Sequence, residues 1–222
     1  MQQTLLFYAF VSHSSSARNN TTSSWTKYIA TLLPWESDLL QHVHISTAPD
    51  AQITLMNTQA SILGDSDGSV QNSNATFGWV LSTLNGRTVA KGFGAAHGIP
   101  MSSFRAEGYG FLAMLQFLFH LSKYTNTPFQ PILHCWLDNQ ALVTRITKRR
   151  TQSFDHPNAT LIPDWDVTNA IVQTLSFFPS IIIKWIKGHQ DKLQPSHSLP
   201  IEAHLNCQAD AKIFDLAPLL SG

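Results

Sequence analysis

The dipeptide Asn85-Gly86 separates two short apolar stretches, residues 77–83 and 88–94, at the spacing of a tight hairpin. Asn-Gly suits the left-handed central positions of a type I′ turn, whose twist matches two paired antiparallel strands. Upstream, residues 62–67 read as a further strand ended by Gly68-Ser69. The periodicity then changes. Residues 103–124 predict a helix capped by Ser102 or Ser103, apolar almost all the way round and so buried on most sides. A mostly apolar strand follows at 131–138, then a helix at 139–149 with Leu142, Val143 and Ile146 on one face. Residues 164–177 predict a helix capped by Asp164 after Pro163, and 180–187 a β-branched strand. Residues 202–216 predict a last helix that buries Leu205, Ala209, Ile213 and Leu216. A three-strand meander followed by strand–helix alternation implies an α/β fold: one five-stranded mixed sheet flanked by helices. Ile62, Trp79, Leu112, Leu115, Leu133 and Ile183 are its expected core.

The domain begins near Ser61 and runs over 61–217, leaving 218–222 as a tail. Residues 12–24 are rich in Ser, Thr and Asn and read as linker, and 25–60 hold one short helix candidate at 35–43 with no dense core pattern. The longest apolar-rich run, 111–121, falls short of the roughly 20 residues a membrane helix needs. The apolar start, residues 1–11, lacks the positive n-region of a secretory signal. The two cysteines, Cys135 and Cys207, make neither a disulfide framework nor a zinc site. A reducing, intracellular setting, cytoplasm or nucleus, is expected.

Net charge is zero, but it is unevenly spread. Residues 68–154 carry eight Lys and Arg and only two acids, Glu107 and Asp138, whereas both flanks are acidic. Each of the two acids falls at an element boundary. Asp67 ends the first strand just ahead of this region, and Asp210 lies in the last helix with Asn206 at i−4. Pairing of the 62–67 and 131–138 strands would bring Asp67 beside Asp138, and the two helices would add Glu107 and Asp210. Four carboxylates that close repel one another unless divalent metal lies between them. Two ions about 4 Å apart can activate water and stabilise a leaving oxygen in phosphodiester cleavage. Oxygen ligands suit Mg²⁺ or Mn²⁺, and the basic middle suits a polyanion.

These motifs resemble the ribonuclease H family. Ser66-Asp67-Gly68-Ser69, Phe104-Arg105-Ala106-Glu107 and Leu137-Asp138-Asn139-Gln140 match its carboxylate motifs in order. Lys187-Gly188-His189 is similar to its Lys-Gly-His loop, and Asn206-Cys207-Gln208-Ala209-Asp210 to its closing helix. The finer resemblance is to ribonuclease H-like domains of retroelement polyproteins, carried on Gly78-Trp79-Val80, Arg105-Ala106-Glu107-Gly108-Tyr109-Gly110 and Pro163-Asp164-Trp165-Asp166. The resemblance implies two Mg²⁺ ions held by Asp67, Glu107, Asp138 and Asp210, an RNA·DNA hybrid as partner, and hydrolysis of its RNA strand. It implies that His189 assists proton transfer or product release. It also implies a reverse transcriptase domain encoded upstream in the parent element, with residues 25–60 as a connection-like remnant. The chain departs from the pattern in the long loop that puts His189 21 residues ahead of Asp210. Gly68, Ser69, Asn139, Gln140, Lys148, Arg149 and Arg150 are candidate substrate contacts.

Other readings of the same residues stay open. Asp65 and Asp67 point to one face of a strand, so either can be the first ligand; Gly68, which leaves room for a phosphate, favours Asp67. Glu107 can be an ordinary acid of a helix start, Asp138 an N-cap, and Lys148-Arg149-Arg150 a solvated helix end. Asp155, Asp164, Asp166 and Asp191 read as turn and cap residues. Trp165 and Trp185 read as packing. At the level of function, the alternatives are a degenerate hybrid-binding or scaffolding module and another nuclease or strand-transfer enzyme on the same fold.

Overall fold

The structure, a computed structural model, describes residues 25–71, 74–151, 158–192 and 198–214. The hairpin anticipated at Asn85-Gly86 joins β3 (Asn74–Thr83) to β4 (Thr88–Ala96), but not through a type I′ turn: of the pair only Gly86, at φ +80°, is left-handed, and its N–H bonds the Thr83 carbonyl at 2.9 Å. β2 (Ser61–Gln71) pairs antiparallel with β3 and parallel with β5 (Ile132–Leu137), and β5 pairs parallel with β6 (Ile181–Trp185). These five strands are the expected mixed sheet. A sixth strand, β1 (His42–Ile45), extends it antiparallel to β4, giving the order β1-β4-β3-β2-β5-β6. Four residues with two histidines carry too little apolar periodicity to announce a strand. Its pairing with β4 makes it one.

Residues 25–60 hold more structure than the single helix expected. Helix α1 spans Trp25–Ile29, and α2 is Pro34–Leu40, so Val43 lies in β1 rather than in the helix predicted over 35–43. Helix α3 (Pro49–Asn57) starts on a proline, whose fixed φ suits a first helical turn, and buries Ile53 and Met56. Both α2 and α3 pack on the central helix α4 (Ser103–Thr125). Ser102 is the α4 cap, its Oγ accepting from the Arg105 N–H at 3.0 Å. Asn126, at φ +52°, ends the helix. The all-round apolar content of α4 is explained by its position between the sheet and α6 (Trp165–Leu175), with Phe111, Leu115, Phe117 and Leu118 fully buried. Trp79 is fully buried, and its ring lies 5.2 Å from that of Phe117. A smaller core on the other sheet face joins Leu63 and Val80 to Leu205 and Ala209 of α7 (Ile201–Phe214). Leu216 and Asp155 lie outside the described residues, as do residues 12–24.

The start of α6 departs from expectation. Asp164 occupies the cap position but its carboxylate caps nothing. It turns to the Ser102 Oγ–H at 3.2 Å and to Arg105 at 3.1 Å. Asp166 takes a fork from the same guanidinium, and Arg105 Nε donates to the His97 carbonyl. The two acids read as a turn residue and a cap are therefore an anion clamp on a nearly buried arginine. Gly98, at φ +130°, is required here, because a β-carbon would collide with that guanidinium.

Removing Arg105 leaves the enclosed Asp164 carboxylate without its cation. Arg105→Ala is expected to lower unfolding free energy by about 3–5 kcal/mol. Asp166→Asn should cost only ~1 kcal/mol, because the Asp166 side chain is 50% exposed and water screens the pair. Urea unfolding midpoints check the order; equal effects would refute it.

Candidate functional site

Strand register sets the site. Ser66 of β2 lies opposite Leu137 of β5, so Asp67, in the middle of β2, and Asp138, just past the end of β5, emerge as neighbours; β2 runs on to Gln71 rather than ending at Asp67 as expected. Glu107 approaches from the first turns of α4. That approach is close: a β-carbon at Gly68 would meet the Glu107 nitrogen and Ala106. The space expected beside Gly68 for a phosphate is thus filled by α4, and glycine is needed there for helix–strand contact. One carboxylate oxygen from each of Asp67, Glu107 and Asp138 lies within 4.8 Å of the others.

The electrostatics are those of crowded acids. The Gly68 N–H donates to Asp67 Oδ1 at 2.7 Å. Burial and the Asp138 charge nevertheless raise Asp67 to about 7 against the Glu107 hydrogen bond, with Asp210 adding to the rise. Burial, with the charges of Asp67 and Asp138, lifts Glu107 well above the carboxylate range. Glu107 Oε2 and Asp138 Oδ1 are buried with no hydrogen-bond partner among the described residues. A hard, all-oxygen donor set with unpartnered buried oxygens fits a divalent cation of the Mg²⁺ or Mn²⁺ kind.

Asp65 is set apart from this group. It is fully buried on the same strand face, where Asn206 of α7 donates to its Oδ1 at 3.2 Å. Burial, then the charges of Asp67 and Asp138, push it far up despite the Asn206 bond. Of the two aspartates left open by the sequence, Asp67 joins Glu107 and Asp138, while Asp65 ties β2 to α7. Asp210, one turn beyond Asn206, faces the cluster without entering it. Its side chain is 30% exposed, and Oδ2 lies 3.7 Å from His189 Nδ1. The long loop therefore still brings His189, at φ +52°, to the last aspartate.

Asp138 does not cap α5 (Gln140–Thr151). The Leu142 N–H bonds Asn139 Oδ1 at 3.0 Å, so Asn139 is the cap and Asp138 is left to the cluster. Two residues beside Asp138, Trp185 read only as packing and Gly188 only as part of a motif, contact it directly. Trp185 Nε1–H donates to the Asp138 carbonyl at 2.9 Å, and a side chain at Gly188 would strike Asp138 Oδ2. The Lys-Gly-His motif offered a signal for Gly188, and the i−4 spacing from Asp210 one for Asn206.

The basic run divides. Lys148 and Arg150 are exposed, whereas Arg149 bonds Asn169 Oδ1 at 3.1 Å and lies over the Trp165 ring. Gln140 is exposed at the start of α5, and Ser69 is half-buried on β2. Among the described residues, no helix is long and apolar enough to cross a membrane.

No family model matches the chain, and no curated protein matches it. Solved structures similar to it include ribonuclease H1 of Halobacterium salinarum NRC-1, at 17% identity over 70% of this chain and 98% of that one, TM-score 0.47. LC11-RNase H1, solved in complex with an RNA/DNA hybrid, is 12% identical over 72% of this chain and 99% of its own, TM-score 0.48. The ribonuclease H domain of prototype foamy virus is 15% identical over 72% and 94%, TM-score 0.49.

A pH experiment follows from the raised carboxyls. In metal-free protein folded Asp67 holds a proton that the unfolded chain releases near 3.8, so its contribution to stability falls as pH rises from there through about 7, and the raised Glu107 and Asp65 act in the same direction. Thermal midpoints in a chelator should drop across that window, and Asp67→Asn should flatten the decline. A metal-free midpoint that rises between pH 4 and 7 would contradict the crowding.

Proposed function

We propose that this chain is a metal-dependent endonuclease of retroelement origin that hydrolyses the RNA strand of RNA·DNA hybrids. The observation that carries the proposal is the group Asp67, Glu107 and Asp138, three carboxylates gathered with buried oxygens unpartnered. A structural role for three such acids would need cations or donors around them. Besides hydrogen bonding among the acids themselves, the described surroundings supply the Gly68 N–H to Asp67. The motif resemblance supports the substrate class.

In this reading Asp67, Glu107 and Asp138 hold the divalent ions, and Asp210 completes the set from α7. The ions, when bound, supply charge stabilisation at the phosphate and lower the pKa of attacking water. The chain's own contribution is to fix geometry. β2 and β5 hold two carboxylates in register, Gly68 lets α4 bring the third, and Gly188 leaves Asp138 Oδ2 unobstructed. His189, on the exposed side of Asp210, is placed to pass a proton between the site and solvent, with Asp210 orienting its ring. Ser69 and Gln140 flank the carboxylates as substrate contacts. Lys148 and Arg150 provide phosphate contacts at the far end of α5, while Arg149 packs against α6. The upstream partner expected is a reverse transcriptase domain of the parent element.

The test is cleavage of labelled RNA·DNA, RNA·RNA and DNA·DNA duplexes with Mg²⁺. The RNA of the hybrid should be cut and the other duplexes spared. Asp67→Asn, Glu107→Gln and Asp138→Asn should each lose at least about 100-fold in turnover, more than the 10–100-fold typical of groups that merely support a ligand. Asp65→Asn should be milder than Asp67→Asn. Near wild-type turnover by Asp138→Asn would rule out the site. Circular dichroism in a chelator should stay native, because the core is built from apolar side chains.

A second measurement concerns the exposed cations. Replacing Lys148 and Arg150 with Ala should raise KM with little change in kcat, since phosphate contacts act alike in ground and transition states. The slope of log K against log salt should shrink by about 0.9 for each phosphate that is no longer neutralised, on the B-form scale. An unchanged slope would place the hybrid elsewhere.

A further inference from the structure

Strand β1 has the sequence His42-Val43-His44-Ile45, and its alternation sorts the side chains. Val43 and Ile45 pack on the main core. His42 and His44 therefore project from the opposite sheet face. That face is the one on which Asp65 meets α7. Register extends the correspondence. His42 pairs with Phe93, Phe93 with Gly78, and Gly78 with Asp67, so the four residues form one row across four strands. The rings in this row stack: His42 lies 5.0 Å from Phe93 at 7°, and His44 flanks the same ring at 6.1 Å and 29°. Lys91 is the strand partner of His44 on that face. Neither β1 nor β4 contains an acid. Helix α7 packs mainly on β2 and β3, and His44 remains exposed, with His42, Phe93 and Lys91 half-buried.

We infer that His42, Phe93 and His44 form a stacking platform for unpaired nucleotides that continue from a duplex held at Asp67, a reading that rests on the proposed nuclease function. Every base offers a planar face to an aromatic ring whatever its sequence, and a neighbouring cation suits the phosphate between bases. Three strand spacings of about 4.8 Å separate His42 from Asp67, roughly 14 Å in all. At about 3.4 Å per nucleotide, that is on the order of four steps from the reacting phosphate. The platform therefore selects hybrids with a single-stranded extension over blunt ones.

The experiment compares an RNA·DNA hybrid of fixed length, blunt or with a six-nucleotide single-stranded extension at either end, by fluorescence anisotropy at constant salt. Wild-type protein should bind one of the extended hybrids about tenfold more tightly than the blunt one, the effect of one stacked base. The ratio of the two affinities should fall to about one in His44→Ala and in Phe93→Leu. A ratio cancels any general loss of folded protein, and exposed His44 keeps the test valid should Phe93→Leu misfold. With 5-iodouracil along the extension, photocrosslinks should map to β1 and β4. A wild-type ratio of one, or crosslinks confined to Trp136 of β5, would overturn the platform while leaving cleavage of the blunt hybrid as evidence for the nuclease. Absence of hybrid cleavage together with an extension advantage that depends on His44 would overturn the nuclease reading and leave the platform standing.

Discussion

The contact between Gly68 and the first turns of α4 is the constraint on which the site depends. Two parallel strands can place Asp67 and Asp138 together by register alone, because Ser66 and Leu137 are partners. A third carboxylate has to come from outside the sheet. A helix axis ordinarily stands far enough from a strand for side chains to fill the gap. Here α4 touches β2 backbone to backbone, and any β-carbon at Gly68 would occupy the position of the Glu107 nitrogen. Closing that gap delivers Glu107 to the two aspartates. It also buries the group, which is why burial leads the causes that raise Asp67 and Glu107.

Such an approach has to be held against repulsion among the acids it gathers. Two polar anchors outside the cluster do this. Arg105, two residues before Glu107, is gripped by Asp164 and Asp166 and ties the start of α4 to α6. Asp65, two residues before Asp67, takes the Asn206 amide and ties β2 to α7. The first bond fixes Glu107, the second the helix that carries Asp210. Asp65 lies one strand repeat from Asp67, and Arg105 lies in the same first turns of α4 as Glu107. The chain thus sets stabilising contacts beside destabilised ones, as expected where function works against folding.

Much of this was legible in the sequence, for reasons that differ by element. Asn85-Gly86 announces its hairpin because only a few residues tolerate the turn. The apolar run of 103–124 announces α4 because a helix buried on several sides needs no polar face. The convergence of Asp67 with Asp138 follows from the pairing of two adjacent strands. What was not legible depends on partners remote in the chain. β1 exists because β4 offers it an edge. Asp164 and Asp166 look like a cap and a helix-start acid until Arg105, far earlier in the chain, is seen between them. Asp138 and Asn139 are adjacent candidates for one cap, and only the turn of the backbone assigns the cap to Asn139 and the cluster to Asp138.

The same remoteness changes the meaning of the charge. In the sequence, eight cations in residues 68–154 form a basic tract. In the fold, Arg105 is consumed by its clamp, Arg145 bonds the Pro163 carbonyl over the Phe104 ring, and Arg149 packs on Asn169 and Trp165. Lys123 lies over Phe119. Arg87, Lys91, Lys148 and Arg150 remain without a carboxylate partner among the described residues, and they lie on separate elements, the β3–β4 hairpin, β4 and the end of α5. In the proposed function, a polyanion meets them at more than one element. In that function, recognition depends on where a strand meets these cations as well as on total charge.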